Sequence, residues 1–322
     1  MKKYAVFAVC CLTGCSAANP AKDISVTNLA DATCNTEVDR YDTAFLDISM
    51  KSVPLGNPSD IAGVLPPRVT FVEGWHIIST NPEFGGLSGL DSFPSSELLA
   101  VSDKGYFITL DPVGKKRATI IPLRDARGKS LIGKTRGDAE GLALKDGIAY
   151  VSFERRHRVL SYDLKACGIT ANGQPFAGSP EDVLNNKLGA NDGAEALDIT
   201  ADGRIRAGYE TVIEGQAPLV IFQDDGTVSD PVDYVSVERD FKLVGADEGY
   251  FLFRAYDRNA GNRNIIRGPD IEFKLAPPLN VDNFEGIAVQ KMSNGRTRIY
   301  LVSDDNYSAR QRTLLYVFEI RD

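Results

Sequence analysis

"EGLALKDGIAYVSFE", residues 140–154, consists of two short apolar runs joined by an Asp-Gly turn and closed by a second glutamate. Asp-Gly between alternating strands is a strong hairpin signal, because tight turns need residues that accept a positive φ. The same order returns at "EALDITADGRIRAGYE" (195–210) and at "EGIAVQKMSNGRTRIYLVSDD" (285–305). Three hairpins that each open on a glutamate predict a repeated structural unit.

Two weaker copies extend the repeat. One is "LSGLDSFPSSELLAVSDKGYFITLD" (87–111), where Ser88-Gly89 replaces Glu-Gly, and the other is "FKLVGADEGYFLFRAYD" (241–257). The small residue after the opening position falls at residues 89, 141, 196, 245 and 286. Spacings of about 40–55 residues are typical of four-stranded propeller blades.

The predicted fold is all-β, a single β-propeller, because β-rich runs recur between turn signals and no long amphipathic helix is evident. A closed ring of blades also leaves few exposed sheet edges. Six blades are favoured, since residues 42–80 add further strand-like segments, and five or seven stay open. We expect N-terminal strands to close the ring against "LLYVFEI" (314–320). A β-sandwich is the structural alternative.

The N-terminus predicts export and lipid attachment. Lys2 and Lys3 precede an apolar run (4–12) that is too short to span a bilayer, as in a secretory signal. The following Leu-Thr-Gly-Cys (12–15) resembles the lipobox of bacterial lipoproteins, which implies a lipid on Cys15. We therefore predict a signal peptide (1–14), a tether (15–40) and a propeller domain (41–322). The predicted location is the bacterial cell envelope, at the outer membrane.

Charge and cysteine content limit the kinds of partner and the cross-links that we expect of this chain. The chain has 322 residues, a formal net charge of -8 and a pI near 5.0. Nucleic acid and anionic lipid attract basic surfaces, so we expect no nucleic acid partner and membrane contact through the lipid alone. We also expect the protein to be a monomer. Cys34 and Cys167 are a candidate disulfide, because the other three cysteines fall within the first fifteen residues and export leads to an oxidising compartment.

Equivalent residues of a propeller repeat occupy equivalent radial positions. Glu140, Glu195 and Glu285 should therefore converge around the axis as catalytic or metal-binding carboxylates, with Asp91 and Asp138 beside them as metal ligands. Clustered carboxylates repel one another, and a bound hard cation relieves that repulsion. Calcium is the predicted cofactor because it accepts six to eight oxygen ligands. The alternative is that each glutamate pins its own blade through backbone N–H groups.

Basic residues follow the second strand of several repeats, where the chain turns at a blade end. They are candidates for binding an anion, for which arginine is well suited. The alternative is surface ion pairing with the abundant acids. The candidates are Lys104, Arg155, Arg156, Arg158, Arg254, Arg310 and Arg312.

Four ordered segments resemble the bacterial phytase-like domain family, which is described as having esterase-like activity of phytase. They are "FGGLSGLD" with "LLAVSDKGYF" (84–107), "GDAEGLAL" (137–144), "NFEGIAV" (283–289) and "LVSDDN" (301–306), within a resemblance that covers residues 65–322. The resemblance implies an ester or phosphoester hydrolase acting on a small anionic substrate. A non-enzymatic propeller that binds a ligand or protein is the alternative function.

Overall fold

The computed structural model describes residues 44–111, 117–180, 184, 188–189, 191–229 and 231–321. The predicted signal peptide and tether, with Cys15 and Cys34, lie outside the described residues. Short helical segments occur at Pro58–Ile61, Lys134–Gly137, Leu164–Cys167 and, as a 3-10 turn, at Gly168–Thr170. In the part of the chain that the structure describes, no helix is long and apolar enough to cross a membrane.

Four-stranded antiparallel sheets are the repeating unit, as predicted for an all-β chain. Blade I contains β3 (Leu87–Ser92), β4 (Leu98–Ser102), β5 (Tyr106–Leu110) and β6 (Arg117–Pro122). Blade II contains β7 (Ala139–Lys145), β8 (Ile148–Phe153), β9 (Arg158–Asp163) and β10 (Gln174–Ala177). Blade III contains β11 (Ala194–Ile199), β12 (Ile205–Tyr209), β13 (Gln216–Phe222) and β14 (Asp233–Ser236).

Blades IV and V have the same antiparallel order. Blade IV contains β15 (Lys242–Asp247), β16 (Tyr250–Asp257), β17 (Gly261–Arg267) and β18 (Glu272–Leu275). Blade V contains β19 (Phe284–Lys291), β20 (Arg296–Ser303), β21 (Leu314–Arg321) and the N-terminal strand β2 (Val69–Ser79). The first strand of each blade contacts the first strand of the next, and β19 contacts β3, so the five first strands form a ring.

The favoured count of six blades is not confirmed, since the described residues form five. The N-terminal strands explain the difference, because they build no blade of their own. β2 completes blade V by pairing with β21, opposing Trp75 to Leu315, which confirms the predicted closure against "LLYVFEI". β1 (Ala44–Ser52) pairs with β2 on one side and β6 on the other, and so joins blades V and I into one nine-stranded sheet.

Each first strand has a β-bulge near its start. The register shifts fall between Leu87 and Leu90, Ala139 and Leu142, Ala194 and Ala196, Leu243 and Gly245, and Phe284 and Gly286. A bulge adds an unpaired residue and redirects its side chain. The opening residue of the sequence repeat lies in this bulge in every blade.

Glycines beside the bulges let neighbouring blades approach closely. A β-carbon at Gly89 would lie 2.7 Å from the Glu140 carbonyl oxygen of blade II. The corresponding distance from Gly286 to the Ser88 carbonyl oxygen, across the closure from blade V to blade I, is 2.6 Å. Real β-carbons do not approach backbone oxygens this closely, so the ring depends on glycine at these positions.

Two hairpin turn types connect the first and second strands. Asp146 and Gly147 both have positive φ (53° and 84°), as predicted. At the Asp202-Gly203 turn only the glycine has a positive φ, because this loop has three residues: Gly203 N–H donates to the Thr200 carbonyl at 2.8 Å and Thr200 N–H to that of Arg204 at 2.9 Å. A type I turn followed by a left-handed glycine explains this geometry.

The hydrophobic core lies between adjacent blades. Phe107 of blade I packs edge-to-face on Tyr162 of blade II, with ring centroids 5.1 Å apart, and both side chains are fully buried. Within blade V, the rings of Tyr316 and Phe284 pack in a tilted arrangement with centroids 5.0 Å apart. Because each sheet buries both faces against its neighbours, its strands are nearly continuous apolar runs.

We expect Gly245→Ala to destabilise the protein, because its methyl group would lie 2.6 Å from the Glu285 carbonyl oxygen of blade V. Overpacking of this kind costs about 1–3 kcal/mol, measured as a lower free energy of unfolding in urea. Gly178→Ala is the matched control, since a β-carbon there meets nothing within 4 Å. Equal stability of the two variants would contradict the role of close blade contact.

Candidate functional site

A cavity of about 240 Å³ opens at one end of the ring, and we call it the mouth. Its lining contains eight carboxylates and only three cationic side chains. The carboxylates are Asp103, Asp138, Glu140, Glu154, Glu195, Glu210, Glu285 and Asp304, and the cations are Lys134, Arg155 and Arg254. The mouth is therefore strongly acidic.

Three equivalent backbone positions in each blade build this surface. The bulge position is the opening residue of the repeat, such as Glu140. The exit position is the residue that follows the second strand, such as Glu154, except in blade IV, where it is Arg254 within β16. The entry position is its partner before the bulge, such as Asp138. The exit N–H donates to the entry carbonyl, at 2.8 Å from Glu154 to Asp138 and at 2.9 Å from Asp304 to Asn283.

The predicted convergence of the three glutamates is present, since Glu140, Glu195 and Glu285 all line the mouth. Glu285 accepts a hydrogen bond from the Asn283 amide at 3.0 Å and lies 3.3 Å from the guanidinium of Arg254. Glu140 and Glu195 make no side-chain hydrogen bond or ion pair to the described residues. Within the described residues, no hydrogen bond joins either carboxylate to the backbone of its own blade, the contact that the architectural alternative requires.

Blade II supplies the densest acidic group. Oxygens of Asp138, Glu140 and Glu154 all lie within 4.8 Å of one another, a spacing that can hold a metal ion. Asp138 also forms an ion pair with Arg155 at 2.7 Å. Asp138 and Glu140 were predicted and Glu154 was missed, although the repeat closes on an acid at Glu154, Glu210 and Asp304.

Burial and mutual repulsion make these carboxyl groups unusually basic. Burial, followed by the nearby Glu195 and Glu285, raises the pKa of Glu140 well above its ordinary value. Burial and then Asp138 raise the pKa of Glu154 to about 7. Burial and then Glu285 raise the pKa of Asp304 to about 8. The mouth therefore gains negative charge across the neutral pH range.

Asp91, predicted as a metal ligand, has a different role. It lies two residues beyond Gly89 and is not part of the mouth lining. Its carboxylate accepts the backbone N–H of Leu144, in blade II, and that of Ser92, both at 2.6 Å. Asp247 likewise accepts the Val289 N–H of the next blade at 2.6 Å. These buried aspartates link adjacent blades, so the structure separates Asp91 from the acidic cluster.

The predicted basic residues do not form one patch. Arg155 and Arg254 line the mouth. Lys104 lies 3.6 Å above the Tyr307 ring, and Arg158 lies 4.1 Å from the centre of the Phe153 ring. The remaining residues are Arg156 and Arg310, which are exposed, and Arg312, which pairs with Asp282 at 3.1 Å. Long side chains reach different local partners, so a shared place in the repeat does not bring their charged ends together.

Cys167 ends the short helix Leu164–Cys167 and is disulfide-bonded. Its partner lies outside the described residues, as does Cys34, so the pairing of these two cysteines stays a prediction.

Several solved structures align with most of this chain at low identity. The PQQ-bound aldose sugar dehydrogenase of Streptomyces coelicolor is 14% identical, and the alignment covers 80% of this chain and 99% of that one with a TM-score of 0.45. Glutaminyl cyclase of Myxococcus xanthus is 13% identical, with 79% and 97% coverage and a TM-score of 0.47. These similarities carry no inference about activity. No curated protein matches the chain.

The sequence model of the phytase-like family, described as "Esterase-like activity of phytase", matches residues 82–240. The match confirms the resemblance and includes the first two of the motifs that carry it, whereas residues 283–289 and 301–306 lie beyond it. The glycine contact at Gly89 and the acidic cluster of blade II both fall within the matched segment. This chain therefore matches the phytase-like family model over residues 82–240, just under half of its length.

Proposed function

We propose that this protein hydrolyses an ester or phosphoester at the mouth, with a divalent cation, calcium, held by the carboxylates of blade II. The observation that carries the proposal is the convergence of eight carboxylates with three cationic side chains in one open cavity. Burying that many like charges is costly unless a ligand compensates for them. The family match to esterase-like proteins supports the same class of reaction.

The donor set at blade II fits a hard cation. Asp138, Glu140 and Glu154 offer only oxygen ligands, which calcium prefers, and a flexible calcium shell accepts further oxygens from water. Zinc fits poorly, because His76 lies in β2 and His157 contacts the Gly189 carbonyl at 3.0 Å. A cation bound here would polarise the ester and make a bound water more acidic.

Glu195 is the proposed general base. Burial, followed by Glu210 and Glu285, raises its pKa well above the ordinary value, so its carboxylate accepts a proton more readily than an ordinary glutamate does. Glu195 would take one proton from the attacking water as the new bond to the ester centre forms. Glu195 would then return that proton to the leaving alcohol oxygen as the ester bond breaks, which restores its carboxylate. Glu285, held by Asn283 and Arg254, would fix the opposite wall of the mouth.

We expect Glu195→Gln to lower kcat by about 100-fold or more while calcium affinity changes little, because only the proton acceptor is lost. Glu140→Gln should instead weaken calcium binding. Turnover of phosphate monoesters, phosphate diesters and short acyl esters would be measured with calcium and with chelator. Asp224→Asn is the control, since that side chain is 94% exposed and lies outside the mouth lining.

Calcium binding without turnover of any ester would contradict catalysis. That result would favour the alternative, a non-enzymatic propeller in which the cation serves ligand binding or the scaffold.

The raised pKa values also predict how stability depends on pH. The folded state holds protons on Glu154 up to about pH 7 and on Asp304 up to about pH 8, whereas the unfolded chain releases them near 4.5 and 3.8. This contribution to stability is complete below the unfolded values and is lost as pH rises through the folded ones. His76, whose pKa is lowered by burial, has the opposite effect on stability. It is a single group, whereas several carboxyl groups of the mouth have a raised pKa.

In chelator, we therefore expect Tm to fall between about pH 5 and about pH 8. Added calcium should raise Tm more at the higher pH, because protons compete with the cation for carboxylates. Calorimetry on wild type, Glu154→Gln and the Asp224→Asn control would measure both effects. The Glu154 variant should lose part of each. A calcium effect that is equal at both pH values would count against binding at the mouth.

We further propose that a lipid on Cys15 holds the protein at the bacterial cell envelope, on the outer membrane. The lipobox-like segment is the support for this proposal. Cys15→Ala in the full-length chain should move the protein from the membrane fraction to the soluble fraction on cell fractionation. An unchanged distribution would contradict lipid anchoring.

A further inference from the structure

Arg254 is a cation inside the acidic mouth, and each of its three guanidinium nitrogens lies near a different side chain. Nη1 donates to the Asn283 side-chain oxygen at 2.8 Å. Nη2 lies 3.7 Å from a Glu210 oxygen, and Nε lies 3.3 Å from a Glu285 oxygen. Glu210 follows the second strand of blade III, and the other two residues lie at the start of blade V. Arg254 therefore reaches from blade IV to both neighbouring blades.

Blade IV is the blade that supplies cations to the rim of the ring. Its entry and exit residues are Lys242 and Arg254, which are partners across β15 and β16, and Val244 lies at its bulge. Lys242 lies 2.9 Å from Glu210. The same three positions of blade II hold acids. The repeat thus places positive side chains opposite carboxylates of the adjacent blades.

Four carboxylates surround the Arg254 guanidinium. Burial lowers the pKa of this group, but the nearby carboxylates outweigh burial and raise it above the ordinary value. They are Glu285, Glu210, Glu195 and Asp304. The first and last strands of this group of acids belong to blades III and V, where Glu210 and Glu285 are only 13% and 12% exposed. Arg254 offsets the repulsion among these buried acids.

Blade II has no such cation among its carboxylates. Oxygens of Asp138, Glu140 and Glu154 lie within 4.8 Å of one another, and no other group of three His, Cys, Asp or Glu side chains among the described residues meets this spacing. Arg155 pairs with Asp138 alone, at 2.7 Å, and its side chain is 45% exposed. The acids of blade II are therefore open to a cation from solution, whereas those of blades III and V already have one.

We infer that Arg254 is a built-in cation that takes the place of a second divalent ion between blades III and V. A guanidinium carried on a strand stays charged and cannot exchange with ions in solution, so it neutralises these acids permanently. The mouth is then left with one exchangeable cation position, at blade II, and that assignment rests on the proposed function. Arg254 is a positioning residue in the proposed reaction, because it contacts Glu285 and opposes the repulsion around Glu195.

Calcium titration calorimetry on the full chain counts the cation positions. We expect about one calcium ion per chain in wild type and about two in Arg254→Ala, because loss of the guanidinium leaves an oxygen-lined space for a second ion. Arg254→Lys keeps a positive charge and should keep the wild-type count. Lys134→Ala is the matched control, since it removes another cation of the mouth, which pairs with Asp103 at 3.0 Å, and should also keep the wild-type count.

Thermal unfolding in chelator shows whether each variant folds. We expect Arg254→Ala to have a lower Tm than Lys134→Ala, because buried carboxylates lose their cation. Calcium should then raise the Tm of Arg254→Ala by more than that of wild type, since an additional ion binds the folded state. Arg254→Gln, which keeps more of the side-chain volume, takes the place of Arg254→Ala in the titration if the alanine variant does not fold.

An unchanged calcium count in the folded Arg254→Ala or Arg254→Gln variant would overturn the inference. Two calcium ions in wild type would overturn it as well, and so would an equal gain in Lys134→Ala, which would indicate general charge attraction. A gain of one ion on loss of Arg254, without turnover of any ester, would reject the proposed hydrolysis and leave the inference standing. Ester turnover by wild type, with an unchanged calcium count in the Arg254 variants, would do the reverse.

Discussion

Close contact between the first strands of adjacent blades is the constraint on which the rest of the structure depends. At Gly89 and Gly286 a β-carbon would fall within 2.7 Å of a carbonyl oxygen in the next blade. The ring therefore closes only with minimal side chains beside the bulges. The bulge that brings glycine to this contact also turns the preceding residue toward the axis, so packing and placement of the carboxylates have one origin.

The acidic mouth places mutually repelling carboxyl groups within an otherwise well-packed scaffold. Aromatic and aliphatic side chains fill the space between blades, as Phe107 and Tyr162 do between blades I and II. In the mouth, by contrast, buried carboxyl groups raise one another's pKa, and at Glu195 the opposing effect of Arg254 is smaller than the effects of burial, Glu210 and Glu285. Conflicts of this kind within an otherwise consistent fold are typical of functional sites.

The blades repeat one backbone pattern but carry different side chains, so charge is unevenly distributed around the mouth. The five blades share one backbone pattern, yet the same three positions are fully acidic in blade II and basic or apolar in blade IV. A symmetric scaffold can therefore place side chains of different charge around one opening without any change in fold. The carboxylates of blades III and V lie between these extremes, and Glu210 and Glu285 both contact Arg254.

Sequence alone determined the repeat, the all-β class, the strand closure at "LLYVFEI" and the convergence of Glu140, Glu195 and Glu285, because each follows from local periodicity and from positions equivalent by repetition. Only the tertiary structure decided the blade count, since the pairing of β2 with β21 joins segments far apart in the chain. The tertiary structure also decided which acids belong to the acidic cluster. Asp91 instead links two blades, whereas Glu154 is part of the cluster. These outcomes depend on which end of a strand faces the mouth and on what a side chain meets across the ring, and neither is encoded in local sequence pattern.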